Sequence, residues 1–218
     1  MRALAATLAV LVCASAAGAQ PAANQLARVK GDVHYGTPPR ALVGRIDVPD
    51  DTRVATAFRA AADVTFADSS VVQIGDNTDV AVGRGHVISL TRGALRFTIR
   101  HPGGGAANYV FVTPTSQVAV RGTLAYLVSG PAGDQIYCID CAAGDVAVAA
   151  AGETYGVLSG QTLNVRRRAN RAFDAVIVPN ASINNPAIDQ FLHGFSPFGR
   201  PTAEGSDFTQ SGSGMLQP

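Results

Sequence analysis

Cys138-Ile139-Asp140-Cys141 is the string most able to do chemistry in this sequence. Two thiols at this spacing serve a redox dithiol, a local disulfide or half of a zinc site. The redox use wants its first cysteine at a helix N-terminus, which lowers the thiol pKa, and nothing helical follows Cys141. Zinc needs two further ligands, and the four histidines (His34, His86, His101 and His193) show no ligand spacing. A disulfide meets a geometric obstacle: in an extended strand the two Cα atoms lie about 10 Å apart and the side chains leave from opposite faces. Bridging them requires a turn or bulge at Ile139-Asp140; otherwise the pair stays as two packed free thiols.

Other reactive constellations are missing. The sequence holds no G-x-S-x-G elbow, no H-E-x-x-H and no P-loop. His101-Pro102-Gly103-Gly104-Gly105 reads as a β-turn instead of an oxyanion loop, because no partner motif follows it. Gly83-Arg84-Gly85-His86 has the composition of an anion-holding nest, yet a lone glycine pair assigns no ligand. Asn180-Ala181-Ser182 is a formal glycosylation sequon. Arg166-Arg167-Arg168 with Arg171 reads as a solvated basic boundary, too few charges to name an anionic partner. No catalytic, cofactor-binding or metal-binding residue is assigned.

Composition narrows the class. The 218 residues carry 17 basic and 16 acidic side chains, a net charge of +1, which excludes the basic footprint of a nucleic-acid binder. Charged residues make up 15%, below the roughly 25% of an average soluble domain, while 47% are hydrophobic, so wholesale disorder is excluded. With no Trp and 5 Tyr, the aromatic platforms of a carbohydrate- or cell-wall-binding module are poorly supplied. An exported enzyme, the other rival, would need a convergent polar cluster that no motif provides.

Arg2, the uncharged apolar residues 3–17 and the small-x-small string Ala17-Gly18-Ala19 have the form of a signal peptide over 1–19. The apolar run is shorter than the ~20 residues of a membrane span, so an exported, periplasmic or secreted chain without stable membrane insertion is expected. Cleavage removes Cys13 and leaves Cys138 and Cys141 in an oxidising compartment.

The elements that would position any site are short strands. Leu95, Phe97 and Ile99 alternate with Arg96, Thr98 and Arg100, and Val118 and Val120 with Gln117, Ala119 and Arg121, placing apolar groups on one face. Tyr109-Val110-Phe111-Val112 is apolar throughout, as a strand covered on both faces would be. Residues 54–62 are Ala-rich, and Thr52, Val54 and Thr56 favour a strand there. Turn formers recur at short intervals, such as Asp68-Ser69-Ser70, Arg92-Gly93 and Gly130-Pro131-Ala132-Gly133, which predicts an all-β domain. Gly144, Gly152 and Gly160 stand eight residues apart, a spacing that suits either a winding β-solenoid or consecutive hairpins with glycine corners.

Specific strings resemble the FecR domain. Phe66-Ala67-Asp68-Ser69-Ser70, with Val72, Ile74 and Asn77-Thr78, is similar to its F-x-D-G-S segment. Thr113-Pro114-Thr115-Ser116-Gln117-Val118-Ala119-Val120-Arg121-Gly122-Thr123 is similar to its TP…V-R-G-T core, and the strings opening at Gly144 and closing at Gly160 resemble its final steps. In physical terms, Pro114 ends a strand, Asp68 suits a turn that bonds back to nearby amides, and Gly122 permits a corner of positive φ. Arg121 reads as a corner brace, with a fork that could cap carbonyls or touch a partner. The resemblance covers about 27–166 and implies a twisted β-solenoid or sandwich-like body. It further implies a non-enzymatic, extracytoplasmic signalling or scaffolding module that binds other envelope proteins. Ser69 departs from the family's usual glycine. The anti-sigma segment and membrane helix that precede the domain in complete signalling proteins have no counterpart here, which puts direct contact with a sigma factor in doubt.

The expected organisation is therefore signal peptide 1–19, linker 20–26, FecR-like β domain 27–166, extension 167–200 and disordered tail 201–218. Within the extension, Ile188, Phe191, Leu192 and Phe195 recur at helical spacing before Pro197 and predict a short helix over 187–195. Its apolar face suits either docking on the domain's own sheet or insertion into a partner's groove.

Overall fold

The computed structural model describes residues 24–100, 108–168, 170, 172–183, 185 and 188. Strand follows strand with little else. β1 (Asn24–Lys30) opens a first sheet, β2 (Val33–Tyr35) and β3 (Arg40–Ala41) a second, and β4 (Arg45–Val48) returns to the first. β5 (Thr52–Thr56) lies in the second sheet, while β6 (Ala61–Thr65) and β7 (Val71–Ile74) form a hairpin in the first. β8 (Asp79–Val82) pairs in the second sheet with the start of β9 (Val87–Ile99). Hairpins then alternate between sheets. β10 (Tyr109–Val112) with β11 (Ser116–Val120) lies in the second, and β12 (Thr123–Gly130) with β13 (Gly133–Asp140) in the first. β14 (Val146–Ala150) with β15 (Glu153–Gly156) lies in the second, and β16 (Gln161–Arg167) with β17 (Phe173–Pro179) in the first.

β9 belongs to both sheets. Its first half pairs with β8 and β10, and from Gly93 onward it pairs with β7 and β12. The register slips opposite Asp79/Val80 at this crossing. Gly93 stands there at φ 105°, with Thr78 so close that a Cβ would collide with it, and Thr78 Oγ1 accepts the Ala94 amide at 3.0 Å. A bulge re-aims a strand where pairing changes, and only glycine leaves room for this one.

The two sheets bury one core between them. Leu95, Phe97 and Ile99 of β9 face Tyr109 and Phe111 of β10 and Val118 and Val120 of β11, all 4% exposed or less. The Phe97 and Phe111 rings stack at 4.2 Å across the sheets. Burying each such ring contributes on the order of 2 kcal/mol.

The all-β expectation holds, with corrections of detail. All ladders except β9–β10 are antiparallel, so Gly152 and Gly160 mark hairpin corners and links between antiparallel strands. Of the three evenly spaced glycines, Gly152 turns the β14–β15 hairpin, while Gly144 and Gly160 stand on links between the two sheets. Residues 57–60 form a turn instead of continuing β5, closed by the Ala60 amide on the Ala57 carbonyl at 3.2 Å. Val110 and Val112 are half-buried, so β10 is covered fully on its inner face only. The sheets reach beyond the expected 27–166, because β1 starts at Asn24 and β17 extends the first sheet. The signal peptide, most of the linker, the tail 201–218, and Phe191, Leu192 and Phe195 of the helix lie outside the described residues.

Candidate protein-contact surface

The family-like motif side chains are consumed by corners. Asp68 accepts the Ser70 amide at 2.8 Å, the Ser70 hydroxyl at 3.0 Å and the Tyr109 hydroxyl at 2.9 Å, tying the β6–β7 turn to β10. Ser69 takes the place of a glycine at φ 67°, in the turn that Asp68 braces. Phe66 meets the Tyr109 ring edge-on at 5.1 Å, His86 stacks on Tyr109 at 4.4 Å, and the Phe66 and His86 rings also meet edge-on at 5.9 Å. Burial pushes the Tyr109 phenol well above its ordinary range, keeping it a neutral donor to Asp68.

The Thr113-Pro114-Thr115-Ser116 corner is organised by a residue the sequence reading did not single out. The hydroxyls of Thr113 and Thr115 donate to Asp134 Oδ2, and that of Ser116 does so at 2.6 Å. Asp134, on β13, is 1% exposed, and its Oδ1 has no hydrogen-bond partner among the described residues. A carboxylate from the first sheet thus clamps the β10–β11 turn of the second. One signal was available: Asp134, Ile136 and Cys138 alternate, placing the acid on the inward face directly after a hairpin turn.

At the next corner Val120 is fully buried, and the Arg121 side chain is exposed with Nε donating to Asn108 Oδ1 at 3.0 Å. Gly122 turns the chain at φ 61°, and Thr123 Oγ1 donates to the Asp140 carbonyl at 2.7 Å. Gly144 and Gly160 also occupy positive φ. Beside this corner Cys138 and Cys141 form a disulfide with Cα atoms 6.1 Å apart. The bulge supplies the geometry: Leu124 pairs with Asp140 and Ala125 with Cys138, leaving Ile139 as the extra residue.

The outer face of the first sheet carries a row in direct cross-strand register: Asp63, Gln73, Arg96, Tyr126 and Tyr137. Arg96 donates to Gln73 Oε1 at 2.9 Å. Burial pushes the Asp63 carboxyl up to about 6, while Gln73 and the Arg96 charge pull it back down. Ile188 is 3% exposed and packs here on Ala61, Ala94 and Tyr126, with Ile183 beside it. Of the four apolar residues predicted to form the helical face, Ile188 therefore sits on the domain's own sheet; the other three lie outside the described residues.

Where this face ends, a groove of about 660 Å³ runs between the β12–β13 turn, the end of β16 and Asn185. Elsewhere the exposed apolar residues are scattered. Phe58 at the β5–β6 turn is 65% exposed beneath the Arg59 guanidinium, and Val176 on edge strand β17 is 49% exposed. Among the described residues no group of three or more His, Cys, Asp or Glu could hold a metal. No helix among them is long and apolar enough to cross a membrane.

Two antiparallel-built sheets with these carboxylate-clamped corners define an all-β fold, and comparison with known proteins finds a likeness in its central part. Residues 52–147 match the family model described as FecR protein, a span from the start of β5 into β14. Over those residues the chain is similar to a FecR domain. No curated protein matches the sequence. Two crystal structures of an inferred anti-sigma factor from Parabacteroides distasonis ATCC 8503 are similar at 13% and 14% identity. Each has a TM-score of 0.49; the matches cover 58% and 65% of this chain, and 59% and 65% of those chains. The chain thus spans less than two thirds of the solved structures it matches.

Proposed function

We propose that this protein is an exported, non-enzymatic FecR-domain module that binds another protein of the cell envelope and serves signalling or scaffolding there. The carrying observation is the FecR match over 52–147, within which the motif side chains Phe66, Asp68, Thr113 and Thr123 all go into holding corners. Residues spent this way build a scaffold, which leaves recognition to the outer faces and edges of the sheets. The signal-like residues 1–19 and the disulfide fit an oxidising, extracytoplasmic setting.

Affinity capture of the tagged full chain from envelope extracts, with and without residues 186–198, tests this reading. The expected result is one stoichiometric protein partner, recovered under several crosslinking conditions. Recovery of none would remove the support for a binding role. A turnover of any added substrate that survives purification to homogeneity would replace it with an enzymatic one.

A further inference from the structure

The groove at the end of the first sheet combines apolar walls, buried polar groups and a run of arginines in one lining. Its floor is an ordered chain of amides. Asn185 Nδ2 donates to Gln135 Oε1, and Gln135 Nε2 donates to Asn164 Oδ1 at 2.8 Å. Asn164 is 2% exposed, so these groups are held in place before anything binds. Ser129, 4% exposed and opposite Asp134 in the β12–β13 register, also lines the groove, and its hydroxyl has no hydrogen-bond partner among the described residues. A buried hydroxyl left unpaired costs free energy that a ligand's donor or acceptor would recover.

The rim is cationic. Arg166, Arg167 and Arg168 follow one another along the end of β16. Arg168 pairs with Asp174 at 3.1 Å, and Arg167 lies over the Phe173 ring at 5.3 Å and makes no ion pair among the described residues. Arg166 is exposed and makes no ion pair among the described residues. The only acid in the lining is Asp134, which lies 1% exposed under its three hydroxyls. One wall is rigid: at Gly133, φ 127°, a Cβ would run into the Val165 carbonyl, so the turn lies flush against β16.

We propose that this groove docks a short acidic segment of the partner protein, its carboxylates meeting Arg166 and Arg167 and its apolar side chains lying along the half-buried Val128. Charge complementarity selects the occupant, since three arginines beside the single described rim carboxylate, Asp174, leave a net positive surface that favours carboxylates and repels basic peptides. This deepens the binding role proposed above and rests on it.

The test uses the full chain and two labelled heptapeptides, one alternating Glu and Leu and one alternating Lys and Leu, followed by fluorescence anisotropy at low and physiological salt. The Glu/Leu peptide is expected to bind at least tenfold more tightly than the Lys/Leu peptide. Arg166→Glu should weaken it at least fivefold, with Arg166→Lys retaining most of the binding. Equal binding of both peptides, or no loss in Arg166→Glu, overturns the proposal. So does binding of inorganic phosphate that displaces the peptide completely, since that defines a site for free anions. Envelope capture separates the two readings: a partner recovered equally by wild type and Arg166→Glu refutes the groove and leaves the binding module standing, whereas a chain that captures nothing refutes the module whatever the peptides do.

Discussion

Replacing Asp63 by asparagine removes a carboxyl that the fold holds at a cost. Asp63 is 7% exposed on the outer face of the first sheet, and burial raises its pKa from the ordinary 3.8 to about 6. A carboxyl whose folded pKa is raised binds its proton more tightly in the folded than in the unfolded chain. Its stabilising contribution is complete below pH 3.8 and lost as pH rises through 6. At 1.36 kcal/mol per pH unit, the loss is about 3 kcal/mol by pH 8. Arg96 and Gln73 already act against the burial within that value, and Ala27, the neighbour on β1, brings no charge. An asparagine side chain keeps the shape and polarity of the aspartate but does not ionise. Asp63→Asn and wild type should therefore unfold at the same urea concentration at pH 4, and the variant should be more stable by about 3 kcal/mol at pH 8. In a thermal scan the gain is roughly 6–12 °C. All other carboxylates are common to both proteins and cancel in the difference. Parallel stability curves from pH 4 to pH 8, or a variant less stable at pH 8, would refute the reasoning.

Three further outcomes follow from the packing. Asp134→Asn withdraws an acceptor shared by three hydroxyls at a site 1% exposed, and should cost about 2–3 kcal/mol in urea unfolding; an unchanged midpoint would mean the corner holds itself. Reducing the Cys138–Cys141 bridge, which closes a loop at sequence separation 3, should cost about 2 kcal/mol while far-UV circular dichroism stays that of an all-β protein; loss of the β signal would give the disulfide a larger role. Ile188→Ala should cost about 2–4 kcal/mol, since Ile188 is 3% exposed against Ala61, Ala94 and Tyr126; no measurable loss would free this segment from the sheet.

Much of the architecture is readable from alternation. Leu95, Phe97 and Ile99 announce which side of β9 is buried, because side-chain direction in a strand is a local property. Gly122 and Gly160 announce corners for the same reason: positive φ is a local demand. What alternation cannot give is the residue opposite. Asp134 reads as one more polar residue after a turn until β13 and the β10–β11 turn are brought together, and its role comes from that meeting. The Asp63–Gln73–Arg96–Tyr126 row likewise exists only in the register of four strands, one of which, β9, enters this sheet at the crossing at Gly93. The disulfide turned on a bulge at Ile139, and bulges are set by pairing with a partner strand instead of by the residue itself. The candidate groove stayed hidden because Arg166-Arg167-Arg168 reads as a solvated charge run until Gln135, Asn164 and Asn185 are found beside it.

The central claim is that this chain recognises another protein. Crosslinking mass spectrometry on intact envelopes, with photo-crosslinkers placed in turn at Arg166, Phe58 and Val176, measures it most directly. The account expects one protein crosslinked from position 166 at high yield and little from the other two. Crosslinks only within the chain itself, from all three positions, would contradict it.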